Sequence, residues 1–141
     1  MLILVSDLDS VYQQIVQSSY SKGQQVSVLV FVPLTVDSIS ACCILDELFQ
    51  KDHVLNQYIV VRGYDDMFRH ISKGIEDETL PPNVIFINCG GSISIIRKFN
   101  EALEKTTMYI IDSHRPINLE NLDYRVQQVK VFDDSLSIFD E

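Results

Sequence analysis

Acidic, amide and imidazole side chains follow three of the apolar runs in this 141-residue chain. Asp37 comes shortly after "VSVLVFV", Asn88 lies near the end of "NVIFINC", and Asp112 and His114 follow "TMYII". Ligands of open α/β sheets bind beyond the carboxyl ends of the strands, so we expect these four side chains to face one mouth. Carboxylates and imidazoles that converge from several strand ends can hold Mn²⁺ or Mg²⁺. The spacing therefore raises the possibility of a metal site.

The charge of this cluster is low for a pair of metal ions, which bring about +4 into a small volume. Three positions at the same strand ends carry neutral side chains, namely Thr35, Asn88 and Ser113. Only Asp37, Asp112 and His114 remain as ligands. Two interpretations stay open. Either these three residues hold a single ion, or no metal binds, Asp37 serves as a helix N-cap, and Asp112 and His114 hydrogen-bond to each other.

A different kind of site is conceivable where Gly90 and Gly91 lead from a strand into a helix. Backbone N–H groups at a helix start can cradle an anion, and Arg115 would assist. A tight strand-to-helix turn is the simpler explanation of the two glycines. We keep Gly90, Gly91 and Arg115 as a possible anion-binding set. Cys89 has no histidine in its local sequence to activate it, so we do not expect it to act as a nucleophile.

Alternating strands and helices are predicted to position these side chains. Strands are predicted from β-branched and apolar runs at 26–32, 57–61, 83–89, 107–112 and 127–132. Helices are predicted at 9–20, 37–52, 65–72 and 92–105. Continuous apolar strands are typical of a parallel sheet that is covered on both faces. We therefore predict an α/β fold with a twisted, mostly parallel sheet of about five strands and helices on both faces.

Composition limits the possible functions. The formal charge of -9 and the pI near 4.6 mean that the chain lacks the basic surface of a non-specific nucleic-acid binder. Three cysteines without a CxxC pair argue against disulfides and structural zinc and favour a reducing compartment inside the cell. No apolar run has the length of a membrane span. Residues 1–141 are predicted to form one domain.

Three motifs together resemble a known family. "VDSISACCILDELFQKDHV", "INCGG" and "DSHRPIN" are similar, in this order, to the N-terminal region of the cell division control protein 45 family of eukaryotic replication factors. That family is itself similar to the DHH phosphoesterases, which include the RecJ-type single-strand exonucleases. The resemblance covers nearly the whole chain. It implies that residues 1–141 are the N-terminal DHH-like domain of a longer protein.

The resemblance also implies a site that has lost its catalysis. In active DHH enzymes, aspartates of the first two motifs and an Asp-His-His third motif hold two manganese ions. The corresponding residues here are Thr35, Asp37, Asn88, Asp112, Ser113 and His114. Half of them depart from the pattern, which implies a pseudoenzyme without a cofactor, in which Asp37, Asn88, Asp112 and His114 are vestigial positions. Arg115 would then pair with an acid.

The role implied by the resemblance is that of a subunit of the CMG replicative helicase in the nucleus. The minichromosome maintenance ring and the GINS complex would be its partners, and single-stranded DNA is a possible ligand of the intact protein. The alternative is an active Mn-dependent phosphoesterase or single-strand exonuclease of the DHH superfamily, with Mn²⁺ or Mg²⁺ as cofactor.

Overall fold

The structure is a computed structural model that describes residues 1–134, so the last seven residues of the predicted domain lie outside it. The strands are β1 (Leu2–Ile3), β2 (Val28–Pro33), β3 (Asn56–Val61), β4 (Asn83–Ile87), β5 (Thr107–Ile111) and β6 (Val129–Phe132). The α-helices are α1 (Leu8–Tyr20), α2 (Val36–Lys51), α3 (Tyr64–Glu76) and α4 (Ile95–Lys98). Short 3-10 turns cover Val5–Asp7, Asn100–Glu104 and Leu119–Leu122. All strand pairs are parallel, which confirms the predicted fold class.

The central strands are apolar because helices cover both faces of the sheet. In β2, Val28, Val30 and Val32 share one core with residues of α1 and α2. The alternate residues Leu29 and Phe31 share the other core with residues of α3 and α4. Successive side chains of a strand point to opposite faces, so a strand buried on both faces must be apolar throughout. This explains the unbroken apolar runs in the sequence.

The order of the strands places a crevice between two of them. The sheet runs β1-β6-β5-β4-β2-β3, so the chain moves in one direction from β2 to β3 and in the other from β4 to β6. Such a reversal separates the loops at the carboxyl ends of β2 and β4, and ligands of open α/β sheets bind there. The loop after β2 leads to Asp37, and the loop after β4 begins with Asn88. The loops that carry Asp37 and Asn88 therefore border this crevice from its two sides.

One edge of the sheet differs from the prediction. The two-residue strand β1 pairs with β6, with Leu2 opposite Val131. The amino group of Met1 donates to the carbonyl oxygen of Val129 at 2.7 Å. Two residues are too short for a periodic pattern, so the sequence predicted no strand at this edge.

The predicted helix at 92–105 is wrong as a continuous element. Helix α4 ends at Lys98, and the 3-10 turn Asn100–Glu104 follows. Phe99 between them is 2% exposed and has a non-helical φ of -125°. The break between α4 and the 3-10 turn allows the ring of Phe99 to enter the core. Helix α3 extends four residues beyond the predicted end at 72. Within residues 1–134, no helix is long and apolar enough to cross a membrane.

Candidate functional site

Asn88 joins the loops around the crevice. It follows β4 with a positive φ of 53°, a left-handed conformation that asparagine tolerates better than most residues. Its backbone N–H donates to the carbonyl oxygen of Ile111 at 2.8 Å. Its side chain donates from Nδ2 to Oγ of Ser38 (3.2 Å) and accepts at Oδ1 from Oγ of Ser113 (3.0 Å). The amide therefore connects the start of α2 to the loop after β5.

Neutral side chains at the strand ends form one hydrogen-bonded chain. Oγ1 of Thr35 lies 2.6 Å from Oγ of Ser38, and Ser38 is connected through Asn88 to Ser113. We call Thr35, Ser38, Asn88 and Ser113 the neutral chain. Three of its members stand where a two-metal site would need charged ligands. Because these polar groups satisfy one another, they require no ion.

The N-cap of α2 is Thr35 and not Asp37. Oγ1 of Thr35 accepts a hydrogen bond from the backbone N–H of Ser38 at 3.3 Å. Asp37 lies in the first turn of the helix, where the macrodipole favours a carboxylate. The expectation that Asp37 caps the helix is therefore wrong. The Asp37 side chain is exposed, and no hydrogen bond or ion pair connects it to the rest of the described chain.

Asp112 is buried, and three donors hold its carboxylate. The side chain is 1% exposed. Oδ2 accepts from the backbone N–H of Gly91 at 3.0 Å, and Oδ1 accepts from the backbone N–H of His114 at 3.0 Å. Nδ1 of the His114 ring lies 2.7 Å from the same Oδ1. The predicted hydrogen bond between Asp112 and His114 is thus confirmed. Because a buried carboxylate needs such partners, this one is committed to the structure of the turn.

Arg115 lies across the same turn. Its guanidinium donates to the carbonyl oxygens of Asp112 (3.0 Å) and His114 (3.1 Å). It also forms an ion pair with Oδ1 of Asp134 at 2.5 Å. The Arg115 side chain is 9% exposed, and the peptide bond to Pro116 is cis. The predicted pairing of Arg115 with an acid is confirmed.

The glycine pair leaves room for the buried carboxylate. A Cβ on Gly91 would lie 2.8 Å from Oδ2 of Asp112 and 2.9 Å from Cδ1 of Ile117. Gly90 has a φ of +90°, which side chains rarely adopt. Anion binding by Gly90, Gly91 and Arg115 stays a prediction. An external anion would compete with Asp112 for the Gly91 N–H and with the acid partner of Arg115.

Two clefts of opposite character flank Asn88. The first has a volume of about 410 Å³. Its lining includes Asp37, Asp112, Asp133 and Asp134, and the rest of the lining is mainly apolar. We call it the acidic cleft. The second cleft, of about 330 Å³, is lined by Arg62, Tyr64, His114 and Arg115 among others. We call it the basic cleft, and across it Oη of Tyr64 lies 2.6 Å from Oγ of Ser92. The expectation that all four predicted side chains face one mouth is therefore wrong for His114, which lines the second cleft, whereas Asp37 and Asp112 line the first.

Cys89 belongs to the core rather than to the site. Burial raises the pKa of its thiol to about 12, and the nearby Asp112 carboxylate contributes to the rise. Its Sγ lies 3.7 Å from the carbonyl oxygen of Phe31. A thiol with this pKa is protonated at neutral pH, which supports the expectation that it is not a nucleophile.

The side chains do not fit a metal centre. Among residues 1–134, no three His, Cys, Asp or Glu side chains are grouped so that they could hold an ion. Asp37, Asp112 and His114, which the single-ion interpretation needs, are therefore not brought together in that way. Both oxygens of Asp112 and Nδ1 of His114 are already in hydrogen bonds. No step of a metal-dependent reaction follows from this arrangement.

Sequence reasoning did not find Ser38. Its buried hydroxyl, 0% exposed, is the link between Thr35 and Asn88. A threonine followed three residues later by a serine at a helix start was the available signal, because an N-cap side chain faces the third residue after it. The sequence could not indicate that the amide of Asn88 reaches the same hydroxyl from another strand.

The fold and the crevice define a class of protein, namely a doubly wound parallel α/β domain in which a chain of hydrogen-bonded neutral side chains crosses the switch-point crevice. A family model described as CDC45 matches residues 28–139. The chain belongs to the CDC45 family, as its motifs suggested.

Individual relatives agree with this assignment. The cell division control protein 45 homolog of Dictyostelium discoideum is 38% identical over 120 residues, which cover 83% of this chain and 18% of that protein. The Homo sapiens homolog is 32% identical over 139 residues, covering 96% of this chain and 22% of that protein. The crystal structure of CDC45 from Entamoeba histolytica matches with a TM-score of 0.83 at 28% identity, covering 100% of this chain and 26% of that chain. The chain spans about a fifth of the length of these curated relatives.

Proposed function

We propose that this chain is a non-catalytic DHH-like domain of a DNA replication initiation factor. In this proposal it acts in the nucleus as part of a subunit of the CMG replicative helicase, with the minichromosome maintenance ring and the GINS complex as partners. The names of its relatives refer to cell division control, which supports a role in the cell cycle. The observation that carries the loss of catalysis is the neutral chain at the crevice.

The neutral chain supports this proposal through its charge and its bonding. In DHH phosphoesterases, the two manganese ions require anionic or imidazole ligands at the three positions that are occupied here by Thr35, Asn88 and Ser113. These residues bring no negative charge, and their hydrogen-bonding groups are directed to one another. Two divalent ions would have to displace these bonds and would gain little charge compensation in return.

The state of Asp112 supports the same conclusion. An aspartate that binds a catalytic ion needs at least one oxygen open to the cleft. Here both oxygens accept hydrogen bonds from the turn, and the side chain is almost fully buried. We infer that the former third motif now stabilises the loop after β5.

A hydrolysis assay tests the loss of catalysis. The chain would be incubated with Mn²⁺ and either 5′-labelled single-stranded DNA or bis(p-nitrophenyl) phosphate, and product would be followed with time. We expect no turnover above buffer with Mn²⁺. Asp112→Asn and Asp9→Asn are the paired variants, since both remove one carboxylate but Asp9, in the first turn of α1, is not among the residues that line the acidic cleft. Turnover that disappears in Asp112→Asn and persists in Asp9→Asn would establish the enzymatic alternative.

A domain exchange tests the role in the helicase. Residues 1–134 would replace the matching N-terminal part of the Schizosaccharomyces pombe homolog, which is 34% identical to this chain over 134 residues. The hybrid should co-purify with the minichromosome maintenance subunits and GINS to the same extent as the unaltered homolog. A hybrid that is folded and abundant but purifies without these partners would contradict the proposed role.

A further inference from the structure

The acidic cleft keeps a binding surface although its metal ligands are incomplete. Its apolar part is formed by Leu8, Ala41, Ile87, Ile111 and Phe132. Ile111, at the end of β5, is 37% exposed. These side chains come from two helices and three strands, so the cleft is built at the carboxyl ends of β4, β5 and β6 on the α1–α2 face. A volume of about 410 Å³ is in the range of sites that take a ligand of side-chain size or larger.

The charge of the cleft selects against phosphate. Four aspartates line it, and its described lining contains no lysine, arginine or histidine. From outside the cleft, Arg115 pairs with Asp134, and His114 contacts Asp112. Asp37 has no such counter-charge among residues 1–134. A nucleotide or nucleic-acid phosphate would therefore be repelled here, whereas a cation would be attracted.

The combination of an apolar lining with an uncompensated carboxylate matches one type of side chain. Arginine and lysine carry a charged group on an apolar stem, and they bury the stem while the charged group reaches an acid. Arginine in addition donates parallel hydrogen bonds to a carboxylate.

We propose that the acidic cleft binds an arginine or lysine side chain, flanked by apolar residues, from an extended segment of a partner protein. The charged group pairs with Asp37, and the apolar neighbours pack on Ile111 and Phe132. The inference rests on the proposed function, because two catalytic metal ions would occupy the same cleft. The positive charge of the partner's side chain thus lies where an active enzyme would hold its metal ions.

The test uses ¹⁵N-labelled chain and two short peptides in an NMR titration. One peptide is acetyl-Ala-Leu-Arg-Leu-Ala-amide, and the other has citrulline in place of arginine, which keeps the shape and removes the charge. The arginine peptide should bind about tenfold more tightly, the scale of one charge-assisted hydrogen bond. The amides of Asp37 and Ser113 should shift, and that of Ser72 on the opposite face should not.

Matched variants complete the test. Asp37→Asn should weaken the arginine peptide about tenfold and leave the citrulline peptide unaffected. Asp9→Asn removes the same charge from the first turn of α1 and should change neither affinity. Equal affinities of the two peptides, or shifts confined to the basic cleft, would overturn the inference. A short oligothymidylate or MgCl₂ that shifts the amides around Asp37 more strongly than the arginine peptide would also overturn it. Hydrolysis with Mn²⁺ is read in the separate assay above, so the two proposals can fail independently.

Discussion

Replacement of Asn88 by alanine should destabilise the chain more than removal of any other single exposed or half-buried polar side chain at the strand ends. The substitution removes the hydrogen bonds to Ser38 and Ser113, at 3.2 and 3.0 Å. It also leaves a residue with a Cβ but no local polar group at a φ of 53°. The two effects act in the same direction, and a second substitution separates them.

The expected size follows from these contacts. Each net hydrogen bond contributes about 1 kcal/mol, and the left-handed conformation costs a residue such as alanine about 1 kcal/mol. We therefore expect Asn88→Ala to lower the free energy of unfolding by about 3 kcal/mol. Asn88→Gly removes the same hydrogen bonds but tolerates positive φ, so its loss should be about 1 kcal/mol smaller.

Urea denaturation followed by far-UV circular dichroism measures these differences, provided the slope with denaturant is unchanged. Asn100→Ala is the control because Asn100 is exposed, and it should change the free energy of unfolding by less than about 0.5 kcal/mol. A double-mutant cycle of Asn88→Ala with Ser38→Ala should give a coupling of about 1 kcal/mol. Additive single changes, or an Asn88→Ala variant as stable as the wild type, would refute the role given to the neutral chain.

Three further outcomes are expected. Gly91→Ala should lower the free energy of unfolding by more than about 2 kcal/mol, because its Cβ would lie 2.8 Å from a buried carboxylate oxygen. Gly63→Ala, where nothing lies within 4 Å, should lower it by less than about 1 kcal/mol, through a weaker N-cap of α3, and equal urea midpoints of the two variants would contradict this. Iodoacetamide at pH 8 should modify exposed Cys43 well before buried Cys89, whose thiol pKa is raised to about 12. Mass spectrometry of digests taken at successive times gives the order of modification, and early modification of Cys89 would contradict its burial. The pKa of Tyr12 is raised by burial and by its hydrogen bond to Asp52. The stability that this group contributes is therefore present below the ordinary tyrosine pKa near 10 and is lost as pH rises further. Tyr12→Phe should flatten the loss of stability above about pH 10 in urea titrations at different pH values, and an unchanged profile would contradict the assignment.

The fold could be predicted because its central strands are buried on both faces. Burial makes β2 and β4 apolar throughout, and the helices between strands keep a periodic apolar face, so both signals are present in the sequence. The failures have local causes. Strand β1 is too short to show a pattern, and α4 is interrupted because the ring of Phe99 turns into the core.

The candidate site was predictable only in part. The rule that parallel strands end at one edge was sufficient to bring the loops of Asp37, Asn88 and Asp112 together. The sequence could not indicate which side-chain atoms meet there. Ser38, which follows β2, contacts Asn88, which follows the neighbouring strand β4, and Asp112 turns inward because Gly91 leaves space for it. Such contacts depend on side-chain directions that residue types and spacing do not determine.

The pairing of β1 with β6 has a consequence for synthesis on the ribosome. Leu2 is made before its partner Val131, which follows about 130 residues later in the chain. At roughly 5–20 residues per second, the N-terminal strand waits on the order of ten seconds for its neighbour. Near the end of this interval, after β5 (Thr107–Ile111) is made and before β6 (Val129–Phe132) follows, β5 is an open edge whose unpaired backbone groups can template aggregation. The edge of the sheet is therefore completed only when two strands that lie far apart in the sequence, β1 and β6, are both present.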